Sequence, residues 1–333
     1  MKILIIQTAF IGDVILATPL LRVLADTYPD VELDVLIRKG NESLLKNFPG
    51  IRQILIWDKT QHKNGNLLTL LGQIRNGHYD HVINLQRFAA TGLLTAFSNG
   101  KQKIGFDKNP FSFLFDKKIS HQINKNLTNH EVERNFRLIA HLTSITYQRP
   151  ILYPDAADYA KISVYQQQKY VTLAPASVWF TKQLPQEKWI TLIHEIRKTN
   201  GDALTIFLNG GPGDQAFCES IRLLSKDNAV VNLAGKLSLL QTAALMKDAV
   251  RNFVNDSAPL HLASAMNAPV TVFFCSTVPA FGFGPLSDIQ QIIETDLELD
   301  CRPCGLHGFK TCPKGHFKCG FGIDVKKAVD QYL

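Results

Sequence analysis

No apolar run in this chain reaches the ~20 residues that a helix needs to cross a bilayer, so an integral membrane protein of the helical type is excluded. No A-x-A-like cleavage site follows the apolar N-terminus, which Asp13 interrupts early. A signal peptide is therefore not expected, and a cytoplasmic location is. The chain also lacks short repeats, low-complexity tracts, and the zinc-finger spacing, basic helix or aromatic stacking platform of a nucleic-acid reader. Nucleic acid is accordingly not an expected partner. Cysteine is sparse, six in 333 residues, and stable disulfides are not expected of an intracellular chain.

What is present describes a soluble globular protein. Hydrophobic residues make up 45% and charged residues 20%, and the length allows two domains with separate cores. The net charge of +7 is unevenly spread. Residues 101–149 carry nine Lys or Arg against four Asp or Glu, and residues 301–319 carry Arg302, Lys310, Lys314 and Lys318 with no acid. Such patches favour anionic partners, here a phosphorylated small molecule or an acidic acceptor at a membrane surface.

Strand-like runs alternate with helix-like segments, the pattern of an α/β fold with parallel sheets. The first half predicts strands at 2–7, 31–37, 53–57, 81–85 and 103–106, with helices at 14–27, 66–76, 88–97 and 131–143. The second predicts strands at 171–175, 204–208, 230–233, 251–255 and 270–275, with helices at 186–199, 214–225, 238–248 and 258–266. A proline- and glutamine-containing stretch separates them. The expected organisation is a domain over 1–150, a linker over 151–169 and a second domain over 170–322.

Four strand-to-helix transitions carry candidate chemistry. Asp13 follows the first strand, where open α/β sheets bind ligands, and Gly12 would supply a tight turn. Its carboxylate suits ligand chemistry and equally suits a helix cap. Leu208-Asn209-Gly210-Gly211-Pro212-Gly213-Asp214 would let the backbone approach a ligand, with Asp214 on a ribose hydroxyl, or would form a plain turn. In Asn255-Asp256-Ser257-Ala258-Pro259-Leu260-His261, Ser257 opens a helix whose N–H groups attract phosphate, and Asp256 can accept from a hydroxyl. His261 lies one helical turn on, either facing the same anion or satisfied within its helix. Lys182 is the one base in the small and apolar loop that follows Ala174-Pro175-Ala176-Ser177. Finally, Cys301-x2-Cys304-x7-Cys312-x6-Cys319, interleaved with His307 and His316, fits a four-coordinate structural metal, free thiols, or an anion-binding flap.

Together these motifs resemble the bacterial heptosyltransferases of glycosyltransferase family 9, enzymes of lipopolysaccharide inner-core assembly. The resemblance runs from Ile11-Gly12-Asp13-Val14 and Thr18-Pro19, through residues 175–182 with Trp189, to Gly211-Pro212-Gly213-Asp214. It continues in Leu233-Ala234-Gly235-Lys236-Leu237-Ser238-Leu239 and in residues 255–263, the most specific stretch. It implies a GT-B fold of two Rossmann-like domains whose parallel sheets face a central cleft, acceptor on the N-terminal side and nucleotide sugar on the C-terminal side. A last helix over 323–333 would pack back toward the first domain.

The implied reaction moves heptose from ADP-heptose to an acidic, lipid-linked core sugar at the inner membrane surface, with inversion and with neither a cofactor nor an active-site metal. By the same resemblance Asp13 is the general base, and Lys182 neutralises the departing diphosphate. Gly12, Ser177, Gly211, Asp214, Leu237, Asp256, Ser257, Ala258 and His261 fall on the donor side, Leu237 against adenine and Asp256 on a sugar hydroxyl. Lys101, Lys103, Arg134 and Arg137 suit the acidic acceptor. Three positions depart from the family pattern: Ala258 replaces a usual glycine, and Phe10 and Arg87 stand where smaller residues are common. Other readings are a transferase of the same fold using another nucleotide sugar and glycan, a non-catalytic nucleotide-sugar-binding protein, and an epimerase or hydrolase of that architecture. Keeping Asp13, Lys182 and His261 together argues against a chain that has lost turnover.

Overall fold

The computed structural model describes residues 1–60, 63–123, 129–147 and 149–329. The chain divides into two compact units, Met1–Ile123 with Asn129–Tyr153, and the residues from Pro154 onward. Each is built on one six-stranded parallel sheet with helices between the strands.

The first sheet comprises β1 (Lys2–Gln7), β2 (Glu32–Arg38), β3 (Ile51–Trp57), β4 (His81–Asn84), β5 (Gln102–Phe106) and β6 (Lys117–Ile119), in the spatial order β3-β2-β1-β4-β5-β6. Its helices are α1 (Ile11–Thr27), α2 (Lys63–Asn76), α3 (Ala89–Ala96) and α4 (Glu131–Arg137). The second unit opens with α5 (Ala156–Ile162) and continues through β7 (Tyr170–Ala174), α6 (Gln186–Asn200), β8 (Thr205–Leu208), α7 (Gln215–Ser225), β9 (Val230–Asn232), α8 (Leu239–Lys247), β10 (Arg251–Asn255), α9 (Ala258–Ala265), β11 (Val270–Phe274), β12 (Gln290–Glu294) and α10 (Lys318–Phe321). Its strand order, β12-β11-β10-β7-β8-β9, repeats that of the first sheet. In both, the order reverses once, between β1 and β4 and between β7 and β10, and such reversals open the crevices where ligands bind.

Burial on both faces explains the apolar strand runs. Ile3, Leu4, Ile5 and Ile6 of β1 are fully buried, as are Val171 and Leu173 of β7. The edge strands β6 and β12 are absent from the sequence-based reading. They are short and partly exposed, and so carry little apolar signal. Residues 156–162, expected within a linker, form α5, started by a capping box between Asp155 and Asp158. The predicted helix 131–143 ends at Arg137 and gives way to turns. Near the C-terminus, Val325–Ala328 form a single 3-10 turn, and Val325, Ala328 and Val329 pack into the core of the second unit. The remainder of the expected last helix, 330–333, lies outside the described residues. Among the described residues no helix is long and apolar enough to cross a membrane.

Helix α1 carries Pro19 in its interior, where a proline cannot donate to the carbonyl one turn back. The carbonyl left over is that of Ile15, and the Thr18 hydroxyl donates to it at 2.7 Å. The same hydroxyl accepts from the Ile151 backbone N–H at 2.9 Å, tying α1 to the end of the first unit. Thr18 is fully buried, so water cannot replace it. Replacing Thr18 by Val should therefore lower the unfolding free energy by about 1–3 kcal/mol in a urea titration, while Thr18→Ser should retain most of it.

Candidate active site

In the first unit, the chain leaves β1 at Gln7 and enters α1 at Ile11, which places Asp13 in the first turn of the helix, beyond the carboxyl edge of the sheet. Gly12 has no left-handed φ and is simply the second helical residue. The turn expected at Gly12 falls instead on residues 8–10. Asp13 is likewise not the cap. Phe10 holds that position without a side-chain cap bond, and Asp13 stands three residues in, where a carboxylate still favours the positive helix end.

Buried amides fix this corner. The Gln86 amide donates to Gln7 Oε1, which also accepts from the Ala9 N–H at 3.3 Å. Asn41 Nδ2 donates to the Ala9 carbonyl at 3.2 Å. Lys59, above the Trp57 ring, donates to the Thr8 carbonyl at 2.6 Å and to its hydroxyl at 3.0 Å. Gln7, Thr8, Asn41 and Gln86 are all buried, so the segment leading to Asp13 is rigidly held.

The expected acceptor-binding cations are placed otherwise. Lys101 and Lys103 lie at the amino edge of the sheet, with Gln102 opposite His81 at the start of β4. They pair with Asp80 at 2.7 Å and Asp116 at 3.4 Å, at the end of the strands remote from Asp13. Arg134 is 1% exposed and donates to Glu131 at 2.7 Å and to the Asn129 carbonyl at 2.7 Å, so it braces α4 from within. Burial alone would raise the Glu131 carboxyl, but His121 and Arg134 beside it hold it below the usual range. Arg137 is exposed at the end of α4. The carboxyl edge has cations of its own in Arg38, Lys59 and Arg87, which charge counting along the sequence does not single out.

In the second unit, the buried Asn255 side chain organises the site. Its amide nitrogen donates to the carbonyls of Ala174 at 3.3 Å and Pro175 at 2.9 Å, and its oxygen accepts from Leu184 N–H at 2.9 Å. Both ends of the loop between β7 and α6 are thereby held to β10. Within that loop Lys182 forms an ion pair with Asp256 at 2.8 Å, and the Thr277 hydroxyl donates to the same carboxylate at 2.5 Å. Asp256, expected on a donor hydroxyl, thus faces the ammonium of Lys182. Ser177 sits in the same loop, its N–H donating to Gln183 at 3.1 Å.

Ser257 precedes α9, with Ala258 as the first helical residue, and the buried Ser257 hydroxyl oxygen has no hydrogen-bond partner among the described residues. A polar atom left so is costly unless a ligand meets it. His261 is buried one turn further along. Beyond the ends of the neighbouring strands β8 and β9, Gly211 N–H donates to Asp214 Oδ2 at 2.8 Å, and Gly235 N–H donates to the Gly210 carbonyl at 2.9 Å. A Cβ at Gly210 would lie 2.8 Å from that of Asp214, so this glycine serves the closeness of the turn. Leu237, half-buried, packs at the margin of a cluster containing Phe207 and Leu233.

The cysteine segment lies against the Lys182 loop. Thr181 N–H donates to the Phe309 carbonyl at 3.1 Å, and Phe309 N–H returns a bond to the Thr181 hydroxyl at 2.8 Å. Gly308, at φ +75, has its Cα so close that a Cβ would stand 2.9 Å from the Thr181 hydroxyl and 3.0 Å from Lys182 Cγ. Arg302 donates to the carbonyls of Cys275, Phe274 and Thr277 and pairs with Glu294, so it clasps the end of β11 rather than presenting charge to an anion. All six cysteines are thiols, and among the described residues no three His, Cys, Asp or Glu side chains are gathered to hold a metal ion. The metal reading of the spacing therefore has no preformed ligand set.

The model of glycosyltransferase family 9 (heptosyltransferase) matches residues 67–307. Lipopolysaccharide heptosyltransferase 3 of Escherichia coli is 26% identical over 284 residues, covering 80% of this chain and 82% of that one. Lipopolysaccharide heptosyltransferase 1 of Campylobacter coli is 26% identical over 326 residues, covering 90% and 91%. Among solved structures, the E. coli ADP-heptose lipopolysaccharide heptosyltransferase II superposes with a TM-score of 0.75 at 20% identity, over 91% of this chain and 96% of that one. The fold is therefore GT-B.

Burial orders the thiols by reactivity. It pushes Cys218 up to about 12 and Cys319 up to about 11, with neighbouring thiols adding to the latter, and it raises Cys275 as well. A thiol-specific reagent at neutral pH should label Cys301, Cys304 and Cys312 in the folded protein and reach Cys218, Cys275 and Cys319 only on unfolding. Labelling of Cys319 as fast as Cys301 in a mass-spectrometric time course would contradict this packing.

Proposed function

The chain belongs to glycosyltransferase family 9, and from that premise we propose that it is an inverting heptosyltransferase carrying heptose from ADP-heptose to an acidic, lipid-linked lipopolysaccharide inner-core sugar. The observation that carries the reading is the corner at the β7–β10 reversal, where Lys182 is held by Asp256 close in sequence to the unpartnered Ser257 hydroxyl at the start of α9. A cation, an unsatisfied hydroxyl and a helix N-terminus together suit a diphosphate. The ADP-heptose named for the E. coli heptosyltransferase II structure supports the choice of donor.

In this reaction the acceptor hydroxyl attacks the anomeric carbon while its proton passes to Asp13. The bond from that carbon to the diphosphate oxygen breaks, and ADP leaves with the electron pair. Lys182 and the N–H groups at the start of α9 take up the charge that develops on the leaving oxygen. Asp256 positions Lys182. Asp214 and Leu237, beyond the ends of β8 and β9, take the ribose and adenine. For the acidic acceptor, Arg38, Lys59 and Arg87 on the Asp13 edge are better placed than Lys101 and Lys103.

A thermal-shift screen against ADP-, UDP-, GDP- and CMP-sugars should give a selective response to ADP-heptose. A response confined to UDP- or CMP-sugars would replace the donor assignment by another nucleotide sugar. Asp13→Asn should lower kcat about 10²–10⁴-fold with the donor-induced shift preserved, as expected for a missing general base. Lys182→Met should reduce both transfer and the donor-induced shift. Undiminished transfer by Asp13→Asn would remove the base from this position.

A further inference from the structure

Asparagines stand at the carboxyl ends of β8, β9 and β10, and two of them are fully engaged. Asn255 ends β10 and makes the bonds that hold the Lys182 loop. Asn232 ends β9, donating to the Gln215 carbonyl at 3.2 Å and to Glu219 at 3.0 Å and accepting from Ala234 N–H at 3.0 Å. Asn209, directly after β8, is 3% exposed. Neither its amide nitrogen nor its amide oxygen has a hydrogen-bond partner among the described residues. Leaving both ends of a buried amide unmet is costly, so folding alone does not account for this side chain.

The two faces of the sheet separate these roles. Leu208 belongs to the core that α6 and α7 cover, while Phe207 packs on the opposite face with Leu233, Ala244 and Leu245. The ladder runs on through Asn209, whose N–H donates to the Leu173 carbonyl at 2.8 Å. Alternation therefore turns the Asn209 side chain to the Phe207 face, whereas Asn232, level with Leu208, turns to α7. Helix α8 covers the Phe207 face, and α9 packs beside α8. The starts of both helices lie there, Leu237 before α8 and the unpartnered Ser257 hydroxyl before α9.

The strand order sets the spacing. At about 4.8 Å per strand, Asn209 stands two strands from the β10 end that leads to Ser257 and one from the β9 end that leads to Leu237. A nucleoside diphosphate with its diphosphate at Ser257 and its base at Leu237 brings its ribose over β8. The residues that follow Asn209 are Gly210 and Gly211, which put no side chain between the amide and that sugar. A ribose hydroxyl both donates and accepts. A primary amide answers both, its oxygen taking the O–H and its nitrogen giving an N–H, whereas the Asp214 carboxylate can only accept.

We propose that Asn209 is a further donor-site residue, gripping a ribose hydroxyl of the bound nucleoside diphosphate and so selecting ribonucleotides. The proposal rests on the reading of this corner as a nucleotide-sugar site, and not on the identity of the base.

Isothermal titration calorimetry of the full chain with ADP, 2′-deoxy-ADP and 3′-deoxy-ADP tests it, with UDP and its two deoxy analogues as a second series. The wild-type protein should bind ADP about tenfold more tightly than one of its deoxy analogues. Asn209→Leu should bind ADP about tenfold more weakly and should no longer distinguish it from that analogue. Leucine is close in size and has no polar atom to desolvate, so this variant should keep or raise the thermal midpoint of the nucleotide-free protein. Wild-type protein that binds ribo- and deoxynucleotides alike, or a variant that discriminates as the wild type does, would overturn the assignment. A lowered midpoint with undiminished nucleotide affinity would make Asn209 a structural amide and overturn it equally. The expected loss appearing in the UDP series alone would replace the ADP reading and still support the role of Asn209.

Discussion

Where the strand order of a parallel sheet reverses, adjacent strands lead into loops on opposite faces, and their last backbone groups leave the ladder. Those groups are buried and must still be paired, because an orphaned one costs roughly 1–3 kcal/mol. Both units of this protein meet the requirement with a side-chain amide. In the first, the Gln7 side chain accepts from the Ala9 N–H and is itself held by the Gln86 amide across the β1–β4 reversal; in the second, Asn255 reaches Ala174, Pro175 and Leu184 across the β10–β7 reversal. The segment that leads to Asp13 and the loop that carries Lys182 are thus extensions of the sheets rather than mobile connections.

This constraint accounts for what could be read in one dimension. Strands buried on both faces are largely apolar runs, so β1, β7 and β11 stand out in the sequence, and the polar residues that follow them mark the carboxyl edge. Asp13, Lys182 and the Asn255–His261 run stand out as candidates for that reason. The residues that hold them do not, because a glutamine at a strand end looks like solvent-facing polarity until its partner, 79 positions away, is known. The exposed edge strands β6 and β12 had too little apolar contrast to register.

Charge was the least legible property. A count over 101–149 treats Lys101, Lys103 and Arg134 alike, yet two lie at the remote edge of the sheet and one is sealed inside. For Arg134 the sequence did contain a signal: Glu131 stands three residues earlier on the same helical face, the spacing of an internal ion pair. For the lysines only the register of β4 against β5 separates the two ends. Asp34 shows the same principle in reverse. This acid in the middle of β2 is fully buried and answered by Arg52 and by the Tyr79 hydroxyl, which donates at 2.6 Å.

The close approach of Gly308 to Lys182 bears on conformational entropy. A lysine side chain that must be ordered when its ligand arrives loses up to about 2 kcal/mol of rotamer freedom at that moment. Here the backbone at Gly308 crowds the middle of the lysine stem while Asp256 holds its end. The side chain is therefore already confined in the folded chain, and the cost of confining it belongs to folding. The cysteine segment acts on Lys182 as a splint.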